Sequence, residues 1–508
     1  MSTTRRDFIR FVVAGSMTAG CPIDLSLLAA DATPTAVDGD HFEVCHEVRD
    51  GHQFAHPPAS TTHDVVIVGG GVSGLTTAYL LRDKDFLLLE KEPHWGGNSY
   101  LEQYNGVPYA TGGAFVDGEA AVAFSKEIGL TQLPIDNWDG TIVNSEFVAD
   151  TWGKGIDGLP YSQSVRDSFK RFRDSLLKID YVRDAASLDT TPFSKFTEGY
   201  APEVKGWWDN YGPSNWGANC DETAAVIAIA EMHSIAGPNR KDDRTTLPGG
   251  LGAINQRLAQ IMAPHKDRML LNATTVAVVP QKHGVNVTFL QGGKPKTVAA
   301  KGVIMATPKF ITARLVDGMP QKQKDAIGRI EYIPYPVVNL IYDRPIFNRG
   351  YDNWCPGNSF TDFIVADWVV RNQPNYVQKY NILTCYTPMR REQRAVLLTE
   401  DGCRQVAGNV LGDFRKLMDD TNVDPVEVHI YRRGHPMYKS KPGNYTQVLP
   451  LARQPMERVF FANTDSEGPV STTDGGIIAA RRAVKEYEAM LANKSAASSH
   501  SAFIPSAP

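Results

Sequence analysis

The sequence predicts an α/β protein, a Rossmann-like dinucleotide-binding domain interleaved with a mixed α+β domain. Three observations carry this. A strand–glycine loop–helix–strand unit occupies residues 64 to 90 and ends on a carboxylate. A second strand–loop–helix pattern lies some 370 residues later, between Arg453 and Leu491. The chain, at 508 residues, is also too long for one ordinary core, so two or three domains, or two interleaved ones, are expected.

The first unit reads Asp64-Val-Val-Ile-Val-Gly-Gly-Gly-Val-Ser-Gly74. Val65 to Val68 is a continuous apolar run, as in a parallel strand buried on both faces. Gly69-x-Gly71-x-x-Gly74 follows and leads into a helical pattern through Leu75, Tyr79, Leu80 and Leu81. The three glycines serve a tight turn, a close approach of backbone to pyrophosphate, and close packing of helix on strand. The helix start, with Ser73, offers N–H groups and partial positive charge to phosphate. The run Phe86-Leu87-Leu88-Leu89 ends at Glu90, about 20 residues past the first glycine, where a carboxylate accepts from a ribose 2′-OH. A 2′-phosphate is disfavoured beside that acid. Gly69, Gly71, Ser73, Gly74, Glu90 and Lys91 are the contacts expected here.

Gly96 and Gly97 come next, in Glu90-Lys-Glu-Pro-His-Trp-Gly-Gly-Asn-Ser. With these residues the chain resembles the flavin-dependent amine oxidase superfamily of monoamine oxidases, polyamine oxidases and related desaturases. The resemblance implies FAD as cofactor, touched by Gly96, Gly97 and Asn98. The family usually has arginine where this chain has Asn98. The stretch Tyr104 to Phe115 is similar to the one that passes under the flavin ring, where small residues admit close backbone. The resemblance also implies a backbone pair near Val276 facing the adenine. Gly302 to Pro308 matches the strand that precedes re-entry into the substrate domain. The block Arg453 to Ser466 is similar to the last FAD-binding strand, with Asp465 in place of the family's glutamate. Thr472-Thr473-Asp474-Gly475-Gly476 then opens a helix whose N-terminus points at the flavin, which adds Asp474 and Gly475 to the expected contacts.

Matching without gaps places Arg314 where monoamine oxidases carry a lysine near the flavin. Arginine is bulkier and permanently charged, which favours a dehydrogenase with another electron acceptor over prompt use of oxygen. The two tyrosines that flank the flavin in monoamine oxidases fall on His435 and Thr472, with Tyr438 and Tyr431 nearby as substitutes. Arg314, His435 and Tyr438 are the residues expected near the reacting atoms. Trp207, Trp208, Tyr211 and Trp216 form an aromatic cluster that suits core packing more than amine binding. Asp221 and Glu222 read as solvated acids.

Net charge is −5, so nothing attracts nucleic acid. No run of 18 apolar residues exists, so no spanning helix is expected. The six cysteines form no CxxC pair and no zinc pattern; most read as buried thiols, with one or two disulfides left open. Thr4-Arg5-Arg6-Asp7-Phe8-Ile9-Arg10, the mild apolar stretch after it and Ala30-Asp31-Ala32 read as a twin-arginine export signal with its cleavage site. That predicts a periplasmic or exported protein. Cys21 is a minor candidate for lipidation. His41, Cys45, His46, His52 and His56 are scattered in a polar stretch and read as surface residues rather than metal ligands.

The expected partition is a signal peptide at 1–32, a linker at 33–61 and a discontinuous FAD domain at 62–118, 245–310 and 450–495. A substrate domain at 119–244 and 311–449 and a disordered tail at 496–508 complete it. The resemblance implies an oxidoreductase that takes a hydride from the carbon beside an amine to flavin N5. The electron acceptor is oxygen, a redox protein or a quinone. Pro248-Gly249-Gly250 before a helix is similar to bacterial spermidine dehydrogenases and tilts the substrate toward a polyamine. The alternatives are a desaturase or isomerase of an apolar substrate, and a flavin-binding protein without catalysis.

Overall fold

A computed structural model describes residues 35–501, apart from 117, 136–138, 239, 241–243, 372–375 and 420–422. The export signal, its cleavage site and Cys21 lie outside the described residues.

One sheet collects strands from three distant stretches of chain. Its order is Met269–Leu270, Phe86–Leu89, Thr62–Val68, Lys294–Met305, Gly284–Gln291 and Ala273–Gln281, and Val459–Phe461 also pairs with Lys294–Met305. The pairs around Thr62–Val68 are parallel. The three long strands from Ala273 to Met305 form an antiparallel meander. The parallel strands read as unbroken apolar runs because both faces are covered. Val65, Ile67, Phe86 and Leu88 pack with Leu75 and Ala78 of helix Val72–Leu80 and with Ile477 and Tyr487 of helix Thr473–Ser501. Val66, Val68, Leu87 and Leu89 pack on the other side with Val287, Phe289, Leu315 and Leu449.

A second, eight-stranded sheet runs Thr35–Gly39, Glu427–Arg432, Val337–Tyr342, Asn381–Tyr386, Asp362–Val365, Asp352–Trp354, Gly140–Val143 and Glu146–Ala149. Helix Glu400–Leu417 covers it with Val406, Val410, Phe414 and Leu417, the stripe its sequence periodicity predicts. Thr399 caps that helix by accepting from the Gly402 N–H at 3.1 Å. Trp207, Trp208, Tyr211 and Trp216 are buried in a separate core with Trp152, Phe169 and Phe172, as packing residues.

Two expectations change. Residues 33–61 are not merely a linker: Thr35–Gly39 is a parallel edge strand on Glu427–Arg432, and Glu43–Arg49 is a helix. The strand is short and polar, so its pairing with a segment almost 400 residues away leaves no local pattern. The last helix continues to Ser501, past the start of the expected tail at 496. Cys45, Cys220, Cys355, Cys385 and Cys403 are free thiols.

Candidate active site

A cavity of about 540 Å³ lies where the two sheets meet. Its first end is formed by Glu90, Lys91 and Ala273–Thr275, and its middle by Gly71, Ser73, Gly96–Asn98 and Ser471–Thr473. Its far end is formed by Gly112–Phe115, Tyr335, Asp352, Trp354, Asp362 and Tyr386.

At the first end the backbone does the holding. Gly69 has φ +108° and Gly97 φ +56°, both in the region that favours glycine. A Cβ on Gly74 would overlap the Gly69 carbonyl oxygen, so the helix can pack on the strand only with glycine there. One Glu90 oxygen accepts from the Gly70 N–H at 2.5 Å and the other from the Glu92 N–H at 2.8 Å. Burial pushes the Glu90 pKa up, and the Lys91 ammonium opposes that shift. Burial works against the Lys91 charge, but the Asp40, Glu92 and Glu90 carboxylates hold its pKa above the ordinary lysine value.

The two sequence motifs meet here. Ser73 Oγ donates to the Gly476 carbonyl at 3.1 Å, joining the starts of helices Val72–Leu80 and Thr473–Ser501 across 403 residues. Both helix N-termini thus border one cavity.

Gly69, Gly71, Ser73, Glu90, Lys91, Gly96, Gly97 and Asn98 all line it, as do Arg314, His435 and Tyr438. Five expected contacts do not. Gly74 stands behind the wall as a packing glycine. Val276 lies at a break in strand register between Thr275 and Ala277, and Thr274 and Thr275 face the cavity in its stead. Asp465 is fully buried, with its oxygens taken by the Lys309 N–H at 2.7 Å, the Lys309 ammonium at 3.0 Å and the Tyr332 hydroxyl at 2.5 Å. Asp474 turns away and accepts from the Ala121 N–H at 2.9 Å, at the start of helix Glu119–Glu127. Gly475 donates to Thr472 Oγ1 at 3.0 Å, and Thr472 and Thr473 form the wall. Asp474 and Gly475 follow Thr473 at helical spacing, which turns them off the face that borders the cavity.

The residues expected near the reacting atoms have distinct surroundings. Arg314 donates to the Phe310 carbonyl one turn back and lies over the Phe310 ring at 5.8 Å. Burial lowers its pKa and so does nearby Arg49, which places it by helix Glu43–Arg49. The His435 ring packs 4.6 Å from that of Phe310. Burial, with the Arg394 charge, brings the His435 pKa down to about 3. Tyr438 is buried and donates to the Gly468 carbonyl at 3.0 Å. Tyr431 is not a wall residue; its hydroxyl pairs with that of Tyr109 at 3.0 Å.

Three groups escaped sequence reading. Arg433 is buried and donates to the Gly97 carbonyl at 3.2 Å and to Thr111 Oγ1 at 3.2 Å, bracing the glycine loop where Asn98 lacks a guanidinium. Asn98 itself donates to the Pro436 carbonyl at 3.1 Å. Asp40, His41, Phe42, Cys45, His46 and Arg49 line the first end, and His41 Nδ1 pairs with Glu92 at 2.5 Å. The far chamber, with Asp352 and Asp362, is the third. None follows a local motif. Asp221 and Glu222 are paired with Lys205 and Lys439 outside the cavity. Among the described residues no cluster suits a metal ion, and no helix is long and apolar enough to cross a membrane.

The cavity fits an extended, phosphate-bearing dinucleotide. The first N–H groups of a helix have no partner within it, and two helix starts face one space. Among the described residues Thr275 Oγ1, buried on the wall, has no hydrogen-bond partner, as a site for a polar ligand requires.

The sequence matches the flavin containing amine oxidoreductases over residues 72–486. It is 32% identical to flavin-containing amine oxidase A of Equus caballus over 485 residues, 86% of this chain and 85% of that one. It is 24% identical to oxidoreductase PigB of Serratia sp. (strain ATCC 39006) over 520 residues, 85% of this chain and 76% of that one. The fold is similar to that of putrescine oxidase bound to putrescine, with a TM-score of 0.65 at 18% identity over 84% of this chain and 99% of that one. It is similar to cyclohexylamine oxidase from Brevibacterium oxydans IH-35A, with a TM-score of 0.64 at 18% identity and the same coverage. With the glycine cradle, the carboxylate and the paired helix starts, the extent of the sequence match establishes that this chain belongs to the flavin-containing amine oxidoreductase family and is an FAD-dependent oxidoreductase.

Proposed function

We propose that the enzyme oxidises an amine in the chamber beyond Gly112–Ala114. The observation that supports this most is continuity: one cavity joins the glycine cradle to walls of Tyr335, Tyr386 and Trp354. Glu90, Gly71, Ser73, Gly96, Gly97 and Thr275 would hold FAD. FAD, when bound, supplies the two-electron acceptor for a hydride from the carbon beside the amine nitrogen. The chain positions the substrate, excludes water and sets the charge around it. The helix beginning at Thr473 directs its N-terminus at the site, where it favours negative charge. Tyr335 and Tyr386 stay neutral, because burial drives their pKa values well up, and their ring faces attract a cation. His435 is a neutral imidazole at physiological pH, packed on Phe310, and is not a proton donor in that range. Water then hydrolyses the imine product. The electron acceptor is oxygen, a redox protein or a quinone.

Arg5 and Arg6 support export of the folded, FAD-loaded protein to the periplasm. Replacing both by lysine should leave it in the cytoplasm on cell fractionation.

The test of the reaction is the visible spectrum of purified holoenzyme, followed without oxygen through a panel of diamines, polyamines and monoamines. Bleaching of the oxidised flavin band by an amine is the expected result. A flavin that dithionite reduces but no amine does would end this reading.

A further inference from the structure

Asp352 and Asp362 stand on adjacent antiparallel strands. In their register Asp352 faces Ile364 and Trp354 faces Asp362. The two acids are therefore diagonal neighbours on one face of the sheet, about 7–8 Å apart along the backbone. Tyr386 faces Asp362 from the next strand, so Tyr386, Asp362 and Trp354 form one row across the sheet. Both acids and both aromatics line the far chamber.

Each of the two acids is only 3% exposed. Asp362 accepts from Thr361 Oγ1 at 2.6 Å. Among the described residues Asp352 Oδ1 has no hydrogen-bond partner. A third carboxylate, Asp139, bears on both, but it is paired with Arg244, the guanidinium that also acts on Asp352. Among the described residues neither Asp352 nor Asp362 forms an ion pair. Glu231, which does not line the chamber, accepts from Tyr211 at 2.6 Å. Tyr335, Tyr351, Tyr386 and Cys355 complete the titratable surroundings, and burial holds all of them neutral. The chamber thus has two buried carboxylates without a cation of their own, set among aromatic rings. Ionising acids in such a place is costly until a counter-charge arrives.

Resting on the proposed amine oxidation, we infer that Asp352 and Asp362 recognise a second, non-reacting ammonium group, so that the substrate is a diamine or polyamine rather than a monoamine. The reacting nitrogen then lies toward Gly112–Ala114 and the distal one between the two acids. Trp354 and Tyr386, on the wall of the same chamber, offer aromatic surface to the methylene chain. Burial raises both aspartates, Asp362 to about 7, and the neighbouring Asp139 carboxylate adds to both shifts. Only the ionised acids attract ammonium, so selectivity for the dication rises as pH increases through about 7.

The experiment compares putrescine with butylamine, which shares its four-carbon chain and lacks one ammonium, on anaerobic holoenzyme. In the wild type kcat/KM should favour putrescine at least about 100-fold. Asp352→Asn and Asp362→Asn should each lower that ratio at least tenfold through KM, with flavin absorbance per protein retained and partial recovery in Asp352→Glu. A wild-type ratio near one would overturn the inference. So would an unchanged ratio in both variants with full flavin content. If neither amine reduces the flavin, calorimetric titration of the holoenzyme with putrescine separates the two readings. Binding that Asp352→Asn abolishes supports the cation site and ends the oxidation reading. No binding to the wild type ends both.

Discussion

The two ends of the cavity are held by different parts of the polypeptide. At the Glu90 end, backbone carries the shape: glycine φ angles, helix N-termini and a carboxylate bonded to two main-chain N–H groups. At the Asp362 end, side chains from five separated stretches carry it: Phe115, Ser214, Tyr335, Trp354 and Tyr386. A ligand recognised by backbone needs few residue types at fixed local spacing. A ligand recognised by side chains needs only that distant positions converge. The first arrangement serves one cofactor across many chemistries, and the second is free to change with the substrate.

The largest effect that separates the two ends should come from Gly74→Val. The added side chain overlaps the Gly69 carbonyl and forces helix from strand. Flavin content per protein, read from the visible spectrum, should fall to background. A yellow Gly74→Val protein would break the distinction, since the cradle would then not depend on its backbone.

Asp465 tests the boundary between the ends. Sequence reading assigns it to the cofactor; the structure gives it to Lys309 and Tyr332, with both charged side chains 0% exposed. Removing one partner of a buried pair costs about 3–5 kcal/mol. Asp465→Asn should therefore unfold at markedly lower temperature, and Asp465→Asn with Lys309→Met should recover much of the loss. Weakened FAD binding at unchanged thermal stability would restore the sequence reading. Glu90→Gln should have a smaller effect. It replaces charge-assisted bonds to Gly70 and Glu92, each worth about 1.5–3 kcal/mol, so the FAD dissociation constant measured by fluorescence should rise about 10–100-fold.

What could be read from the sequence follows the same division. Val65 to Glu90 announces its own structure, because strand, turn, helix and acid are contiguous and each is fixed by local physics. Asp465 and Asp474 lie off the cavity wall because position along a strand or helix does not say which way a side chain turns, and the backbone contact expected near Val276 falls on Thr274 and Thr275. Asp474 caps another helix and Val276 sits at a bulge. Arg433 and the strand Thr35–Gly39 were missed since their partners, Gly97 and Glu427–Arg432, are more than 300 residues away. Asp352 and Asp362 look like ordinary surface acids in a row of letters. Only the register of their strands puts them on one buried face.

His435 gives the smallest expected effect and the finest division between the ends. Its ring is packed on Phe310 and its pKa falls to about 3, first by burial and then by the Arg394 charge. A histidine ordinarily titrates near 6.5. In the folded protein this one therefore binds fewer protons than it does unfolded, and its contribution to stability is present above about 6.5 and is lost as pH falls toward 3. Two measurements follow. The thermal midpoint of wild-type holoenzyme should fall between pH 7 and pH 5 by more than that of His435→Gln, a permanently neutral replacement. The pH profile of kcat in His435→Gln should keep the wild-type ionisations, with a rate change of less than about tenfold, because the native ring does not exchange protons in that range. A profile that loses a limb on this substitution would make His435 an acid or base of the reaction, and would move the chemistry from cofactor and backbone to a side chain.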